Sequence, residues 1–300
     1  MTAFGALKSY FSHAPDVVAA YLYGKYADDR TWPDSDLEVA ILFADRLTEE
    51  EISDHLQRLA AGRPLGEAPG ILLPFALNTH ILPVIYEILT GAEPLVTNDA
   101  PAVAAFTKQA TARLEDERAT ILTNAQEAIL QARKLGLHVV GSASVVLPQP
   151  PRPLDPIRIG WRLARILGSA AVLEPATRDP EAAARDPDSL GQIIGWFSNA
   201  AGAATGIAKA MLNIFSMPRP SRRWEIFLPL ADANVLTMEL ALQLGALVEL
   251  RWRLLAGAGL ATSDRLTASI RGSLPPILSF ARLAALYCEV PGVKGEQTLH

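Results

Sequence analysis

The stretch YLYGKYADDRTWPDSDLEVAILF at residues 21–43 joins two apolar runs through a polar segment that ends in two carboxylates, Asp36 and Glu38. The runs, residues 16–24 and 37–43, are short and rich in β-branched and aromatic side chains, which predicts two buried strands. Because residues i and i+2 of a strand point to the same face, Asp36 and Glu38 are predicted to lie side by side. Two such carboxylates could hold a divalent cation.

The rest of the first half continues this mixture of strands and helices. Thr48, followed three residues later by Glu51, is a capping-box pattern that predicts the start of an amphipathic helix. Residues 71–78 form a third apolar run, and Pro74 within it predicts an edge or bulged strand because proline has no amide to donate. A long helix rich in alanine and charged residues is predicted for residues 101–135. We therefore expect an α+β N-terminal domain.

A proline-rich segment, LPQPPRP at residues 147–153, separates the two halves. Proline fixes the backbone φ angle and removes amide donors, so this segment is predicted to be a semi-rigid linker. Beyond it, strand patterns almost disappear and long segments carry apolar residues at helical spacing. The sequence therefore predicts one domain at residues 1–146 and an all-α helical bundle at residues 154–300. Its tryptophans are predicted to fill the bundle core: Trp161, Trp196, Trp224 and Trp252.

Composition limits the classes of function. The chain has 300 residues, of which 50% are hydrophobic and 20% charged, as expected for a globular protein. A net charge of −5 argues against broad binding to nucleic acid. The basic cluster of Arg219, Arg222 and Arg223 could contact RNA phosphates, although a solvated helix start with salt bridges is the favoured interpretation. A lone cysteine, no secretory leader and no apolar run of about 18 residues predict a cytoplasmic protein without membrane attachment.

The region from about residue 10 to residue 135 resembles the minimal nucleotidyltransferase (MNT) family of the polymerase-β-like superfamily. Gly24 stands where the family has its first glycine, and the Ser-Asp-Leu-Glu sequence at residues 35–38 stands where it has its acidic pair. The resemblance implies a bound Mg²⁺ and a nucleoside triphosphate whose charge the metal neutralises. It also implies roles for individual residues: Asp36 and Glu38 as metal-binding catalytic residues, and Gly24, Lys25 and Ser35 as nucleotide-binding residues.

This chain departs from the MNT pattern at the site itself. Lys25 replaces the family's serine, and Glu38 replaces an aspartate. The family's third acid, expected on a strand near Leu73, is absent from that apolar run. A working enzyme would have to take this ligand from elsewhere, for example from Glu67 or Asp45, because a two-metal mechanism needs a full set of acidic ligands.

The second half, about residues 154–290, resembles in the order and length of its segments the HEPN domain of helical ribonuclease toxins that are encoded beside MNT antitoxins. The resemblance places the family's catalytic arginine at Arg251, but Ala256 stands at its histidine and Ala258 at its tyrosine. Because histidine takes part in proton transfer during RNA cleavage, we expect no ribonuclease activity. HEPN relatives pair through their helices, which implies a homodimer with residues 240–255 at the contact.

Two further HEPN features are also missing. Gly202 and Gly206 stand roughly where the family has acidic residues in its central helix. The tyrosine that an MNT partner modifies is absent, and Tyr287, the only tyrosine after the linker, belongs to a different helix.

Two functions follow as hypotheses. The first is an MNT–HEPN fusion derived from a toxin–antitoxin pair, a pseudoenzyme that binds a nucleotide and Mg²⁺ or acts in regulatory interactions. The alternative is an active nucleotidyltransferase that modifies a protein, an RNA or a small molecule.

Overall fold

The computed structural model describes residues 3–23, 37–62, 72–135, 148–179, 187–218, 220–255 and 263–289. The chain forms two compact units, residues 1–119 and 120–300. This division falls within the long helix α4 (Ala100–Arg133), which occupies most of the predicted helix at residues 101–135. The domain boundary at residues 147–153 stays a prediction.

The first unit contains a four-stranded mixed sheet with helices between its strands. The strand order is β3-β2-β1-β4, in which β1 pairs antiparallel with β2 and β4, and β2 pairs parallel with β3. In chain order the elements are α1 (Ala3–Ser12), β1 (Val17–Tyr23), β2 (Leu37–Phe43), α2 (Glu49–Ala61), β3 (Leu72–Ala76), α3 (Leu82–Gly91) and β4 (Glu93–Thr97). The three strands expected from the sequence are confirmed, whereas the apolar patterns did not predict α1 or β4.

One face of this sheet packs against α1 and α2 and forms the core of the first unit. Alternate residues of β2 are buried on that face because strand side chains alternate in direction. The predicted capping box at the start of α2 is present: Glu51 N donates to Thr48 Oγ1 at 3.3 Å, and Thr48 N donates to Glu51 Oε2 at 2.8 Å. β3 is an edge strand, as Pro74 predicted. The core residues are Leu37, Val39, Ile41 and Phe43 of β2 with Leu7, Phe11, Ile52 and Leu59 of the helices.

The second unit is mostly helical, as the sequence predicts. Its elements are α5 (Pro156–Ala176), α6 (Pro187–Ile214), a 3₁₀ helix (Arg223–Phe227), α7 (Leu228–Asp232), α8 (Met238–Leu255) and α9 (Ser263–Leu286), together with the last turns of α4. Helix α6 packs against both α5 and α8. None of the helices in the described ranges combines the length and the apolar character needed to cross a bilayer.

Hydrogen bonds to backbone carbonyl groups join the C-terminal end of α9 to α4 and to Leu154. Arg133 Nε donates to the carbonyl oxygen of Ala285 at 3.1 Å, and its Nη2 donates to that of Cys288 at 2.6 Å. The amide of Leu154 donates to the carbonyl oxygen of Tyr287 at 3.1 Å. These bonds satisfy carbonyl groups at the C-terminal end of α9 that have no partner within the helix.

The prediction that tryptophans fill the bundle core is wrong. Trp196 is 39% exposed, and Trp161, Trp224 and Trp252 are only partly buried. Small and aliphatic side chains of α6 occupy the interior instead, among them Ala200, Ala203 and Ala204. Helices that approach closely leave no room for an indole ring between them, so the rings lie at the margins of the helix contacts.

Candidate functional site

Glu38 is the second residue of β2 and lies on the sheet face opposite the core. Its neighbours Leu37 and Val39 are buried in the core, so alternation directs Glu38 to the other face, where it is partly exposed. In the strand register Glu38 pairs with Tyr23 of β1 and with Leu73 of β3. A carboxylate at this position is open to solvent on a rigid strand, as a metal-binding residue requires.

The other residues predicted for the nucleotide site lie between β1 and β2. Gly24, Lys25, Ser35 and Asp36 fall outside the described residues. The proposed pairing of Asp36 with Glu38 therefore stays a prediction.

The predicted third acid is missing at the position where the register would place it. Leu73 lies directly beside Glu38 on the neighbouring parallel strand, and β3 has the sequence LLPFA. Asp45 cannot replace the missing acid, because it follows the far end of β2, and the five residue steps from Glu38 to Phe43 alone extend about 17 Å. Glu67 lies outside the described residues, among which no cluster of three His, Cys, Asp or Glu side chains occurs.

The structure adds one carboxylate that sequence reasoning missed. The Tyr23 hydroxyl donates a 2.7 Å hydrogen bond to Glu87 Oε2. Since Tyr23 is directly opposite Glu38, its ring lies on the same face of the sheet, and the hydrogen bond places the Glu87 carboxylate on that side. Glu87 is the only acidic residue of α3, whose buried residues include Val84, Ile85 and Ile88. The sequence offered one signal for Glu87 as a site residue: it is a single carboxylate in an otherwise apolar helix.

Aromatic side chains surround this contact. The ring of Phe75 meets that of Tyr23 edge-on with centroids 5.7 Å apart, and it meets the ring of His80 edge-on at 5.3 Å. The amide of Ile81 donates to His80 Nδ1 at 2.9 Å, so that nitrogen is an acceptor. These contacts hold Tyr23 in one orientation on the Glu38 face.

In the second unit, Arg251 lies on α8 and reaches across to α6. Its Nε donates a 3.1 Å hydrogen bond to the carbonyl oxygen of Ser198. A Cβ built on Gly202 would lie 3.6 Å from the Arg251 guanidinium, so the glycine leaves room for this side chain. Ala256 and Ala258, which the HEPN resemblance places at the histidine and the tyrosine, are outside the described residues.

A second arginine, Arg162 of α5, lies against Gly206 of α6. A Cβ on Gly206 would lie 2.6 Å from Arg162 Nε, so any larger residue here would require the Arg162 side chain to shift. Arg162 is 8% exposed, stacks 4.6 Å from the ring centroid of Trp161, and donates from Nη1 to the carbonyl oxygen of Arg158 at 2.7 Å. The sequence indicated only that Gly202 and Gly206 replace acidic residues of the HEPN pattern. In the structure, the guanidinium groups of Arg251 and Arg162 lie beside these two glycines.

Of the two described arginines in the basic cluster at residues 219–223, only Arg222 is exposed. Arg223 is 4% exposed and stacks on Trp252 with its Cζ 4.8 Å from the ring centroid. The amide of Arg222 donates to Glu225 Oε2 at 3.3 Å, which caps the 3₁₀ helix. Arg222 is exposed at the start of the 3₁₀ helix, as the solvated helix-start interpretation predicts, whereas the burial of Arg223 contradicts that interpretation; Arg219 is outside the described part of the chain.

Histidines are confined to the first unit among the residues that the structure describes. His13, His55 and His80 all lie there, whereas His138 and His300 are not among the described residues. The described part of the helical unit thus contains Arg251 without an imidazole that could shuttle protons beside it.

Comparison with known proteins identifies one region of the chain. Residues 6–100 match the family model described as "Polymerase beta, Nucleotidyltransferase". This region runs from α1 through β4 and includes both Glu38 and Glu87. Comparisons with curated proteins and with solved structures gave no match.

Proposed function

From the nucleotidyltransferase-like domain at residues 6–100, we propose that the first unit binds a nucleoside triphosphate with Mg²⁺ but does not transfer the nucleotidyl group. The observation that carries this proposal is Leu73 at the register position beside Glu38. Two carboxylates, Asp36 and Glu38, can hold one Mg²⁺ that is completed by phosphate oxygens and water. Nucleotidyl transfer with two metal ions needs a further acidic ligand on this face.

The nucleotide would be held by Gly24, Lys25 and Ser35. Backbone amides of a glycine turn bind phosphate oxygens, and a lysine ammonium contributes a point charge. Lys25 stands in place of the family's serine. Because its ammonium group attracts phosphate, this replacement favours a site that still binds phosphate.

For the helical unit we propose a HEPN-like origin, in a fusion derived from a toxin–antitoxin pair, without ribonuclease activity. The support is that Arg251 uses its Nε on a backbone carbonyl and that the described part of the helical unit contains no histidine. Tyr287 cannot substitute as an acceptor of nucleotides, because its side chain is buried with 7% exposure and its hydroxyl is enclosed. Both observations favour a binding or regulatory role.

We propose that the chain forms a homodimer through α8. Met238 and Leu242, four residues apart on one face of this helix, are 48% and 53% exposed. Large exposed aliphatic side chains at helical spacing are typical of helix-pairing surfaces. Leu242→Glu should convert a dimer to a monomer in light scattering coupled to size exclusion, whereas Gln243→Glu, on a neighbouring exposed position, should not. A wild-type protein that is monomeric at all concentrations would refute this proposal.

The nucleotide proposal is tested by thermal shift with each nucleoside triphosphate in the presence of Mg²⁺. A ligand that binds only the folded state raises the melting temperature. We expect such a rise for the wild type, its loss in Glu38→Gln, and its retention in Glu50→Gln, which removes one charge from an exposed position of α2. If no triphosphate raises the melting temperature of the wild type, the first unit is not a nucleotide-binding domain.

The second candidate function, an active nucleotidyltransferase, is favoured by Glu87. This carboxylate reaches the Glu38 face through its hydrogen bond with Tyr23, although it comes from a helix and not from β3. Incubation with Mg²⁺ and labelled triphosphates distinguishes the two candidates. Transfer of label that is abolished by Glu87→Gln, which can still accept the Tyr23 hydrogen bond, would establish the enzyme. Absence of transfer together with a thermal shift is the result we expect.

A further inference from the structure

Strand β3 places two partly exposed apolar side chains on the sheet face that carries Glu38. Leu72 and Ala76 are buried in the core on the other face. Because side chains alternate along a strand, their neighbours Leu73 and Phe75 point away from that core. The register agrees, since Leu73 lies beside Glu38 on the adjacent strand. We call Leu73 and Phe75 together the apolar strip.

A ring contact places Phe75 on this face independently of the register. Its ring meets that of Tyr23 edge-on with 5.7 Å between centroids, and Tyr23 lies directly opposite Glu38 on β1. Phe75 pairs with Ala40, two residues beyond Glu38 along β2. With a rise of about 3.4 Å per residue and about 4.8 Å between strands, the Cα atoms of Phe75 and Glu38 are roughly 8 Å apart. The apolar strip therefore begins beside Glu38 and extends away from it.

This face of the sheet thus has a charged part and an apolar part. Glu38 supplies a carboxylate, whereas Leu73 beside it stands where the nucleotidyltransferase resemblance places the third acid. Moving a charged phosphate out of water and against an apolar side chain is costly. The part of a ligand that lies on the apolar strip must therefore be uncharged, and it must be joined to a group that the metal position holds.

A nucleotide combines both parts in one molecule. Its phosphates are anionic and bind Mg²⁺, whereas its base is an uncharged ring system that stacks on aromatic side chains. The ribose separates the base from the phosphates, just as Phe75 is separated from Glu38 on this face. Leu73 and Phe75 are each partly exposed, so a base can reach both side chains.

We propose that the apolar strip binds the base of the nucleotide, with the ring of Phe75 as the main contact and Leu73 packed beside it. This inference rests on the proposed function of the first unit and adds which part of the ligand the β3 side of the face recognises. Stacking uses the surface of a base and not its hydrogen-bonding edges, so the strip accepts different bases. The base then lies on the side of Glu38 from which a third acidic ligand would come, which agrees with binding without transfer.

Calorimetric titration in excess Mg²⁺ separates the contribution of the base from that of the phosphates. Inorganic tripolyphosphate has the phosphate chain without the nucleoside. We expect ATP to bind the wild type at least about tenfold more tightly than tripolyphosphate, because a stacked base contributes a factor of about ten or more. GTP should bind about as tightly as ATP, because stacking does not distinguish the edges of the two purines.

Variants of Phe75 test which residue provides the contact. Phe75→Leu removes the ring and should lower the affinity for ATP about tenfold without changing the affinity for tripolyphosphate. Phe75→Tyr keeps the ring and should retain the affinity for ATP. Leu56→Ala changes a partly buried side chain that packs on the core face of the sheet, and it should alter neither affinity. Binding of tripolyphosphate by Phe75→Leu also shows that the variant is folded.

The outcomes separate failure of this inference from failure of the proposed function. If tripolyphosphate binds the wild type as tightly as ATP does, the apolar strip does not hold the base, although the phosphate site stands. The same conclusion follows if folded Phe75→Leu binds ATP as the wild type does, and the wild-type comparison decides alone if that variant does not fold. A strong preference for ATP over GTP, or for GTP over ATP, would mean that hydrogen bonds to the base edge provide recognition, and would overturn stacking on the strip. If neither ATP nor tripolyphosphate binds, the nucleotide proposal itself fails, and this inference fails with it.

Discussion

Replacing Gly160 with alanine is expected to destabilise the helical unit, although alanine is the better helix former. Gly160 lies within α5 where this helix meets α4. A Cβ at this position would lie 2.4 Å from Ala125 Cβ, 2.5 Å from Ala125 Cα and 2.7 Å from its carbonyl oxygen. Two of these three atoms belong to the backbone, so no rotamer change of a neighbour can relieve the overlap.

The magnitude follows from two opposed terms. Alanine in place of glycine in a helix interior stabilises by about 1 kcal/mol. Non-bonded carbon atoms sit about 3.5–4.0 Å apart, so the two helices would have to separate by more than about 1 Å. Overpacking of this kind costs roughly 3 kcal/mol, the upper end of its usual range, because the obstacle is backbone. The net expectation is a loss of about 2 kcal/mol of unfolding free energy.

Gly168 provides a matched control in the same helix. It is exposed, and no atom of the described ranges lies within 4 Å of a Cβ built there. Gly168→Ala is therefore expected to stabilise by about 0.5–1 kcal/mol through helix propensity alone. The two variants make the same chemical change, and only the space around the added methyl group differs.

Urea unfolding followed by tryptophan fluorescence is a suitable assay for this comparison. Four of the five tryptophans lie in the second unit, so the signal reports mainly on the helical unit. With a slope of about 2 kcal/mol per molar urea, the midpoint should fall by about 1 M in Gly160→Ala and rise slightly in Gly168→Ala. Equal midpoint shifts in the two variants would show that α4 and α5 do not approach each other as closely as the structure indicates.

Three further changes in the helical unit have defined expectations. Arg133→Met removes two hydrogen bonds to carbonyl groups at the end of α9 and should lower the free energy of unfolding in urea by about 2–3 kcal/mol. Lys134→Met, a change at the neighbouring exposed position, should alter it by less than about 0.5 kcal/mol. A similar small effect at both positions would contradict the capping role of Arg133. Tyr287→Phe removes a buried hydroxyl that has no hydrogen-bond partner among the described residues and should stabilise by about 1 kcal/mol, and clear destabilisation would mean that the hydroxyl is satisfied. Burial raises the pKa of the Cys288 thiol from 9.0 to about 12, so the unfolded state loses this proton before the folded state does and stability falls as the pH rises from about 9 toward 12. This loss amounts to at most roughly 4 kcal/mol and should be smaller in Cys288→Ala over the same pH range; an identical pH dependence in that variant would exclude the thiol as its source.

The candidate site could be predicted from the sequence only in part. The apolar and β-branched composition of residues 37–43 predicts the strand. Because side chains alternate along a strand and the neighbours of Glu38 are buried in the core, Glu38 must lie on the opposite face. The absence of an acid near Leu73 could also be read from the sequence, and the parallel pairing of β2 with β3 confirms that Leu73 is the residue beside Glu38. Glu87 could not be assigned in this way, because it comes from a helix 64 residues after Tyr23.

By itself, the sequence determined the local elements: the first three strands, the capping box at Thr48, the edge position implied by Pro74 and the helical segments after residue 153. These depend on side-chain periodicity and on backbone chemistry within a few residues, which a single sequence contains. Tertiary structure alone decided that Gly202 and Gly206 face Arg251 and Arg162, and that Gly160 meets Ala125. Such contacts depend on the rotation and offset of one helix against another, and the energy that sets these comes from packing between residues far apart in the chain.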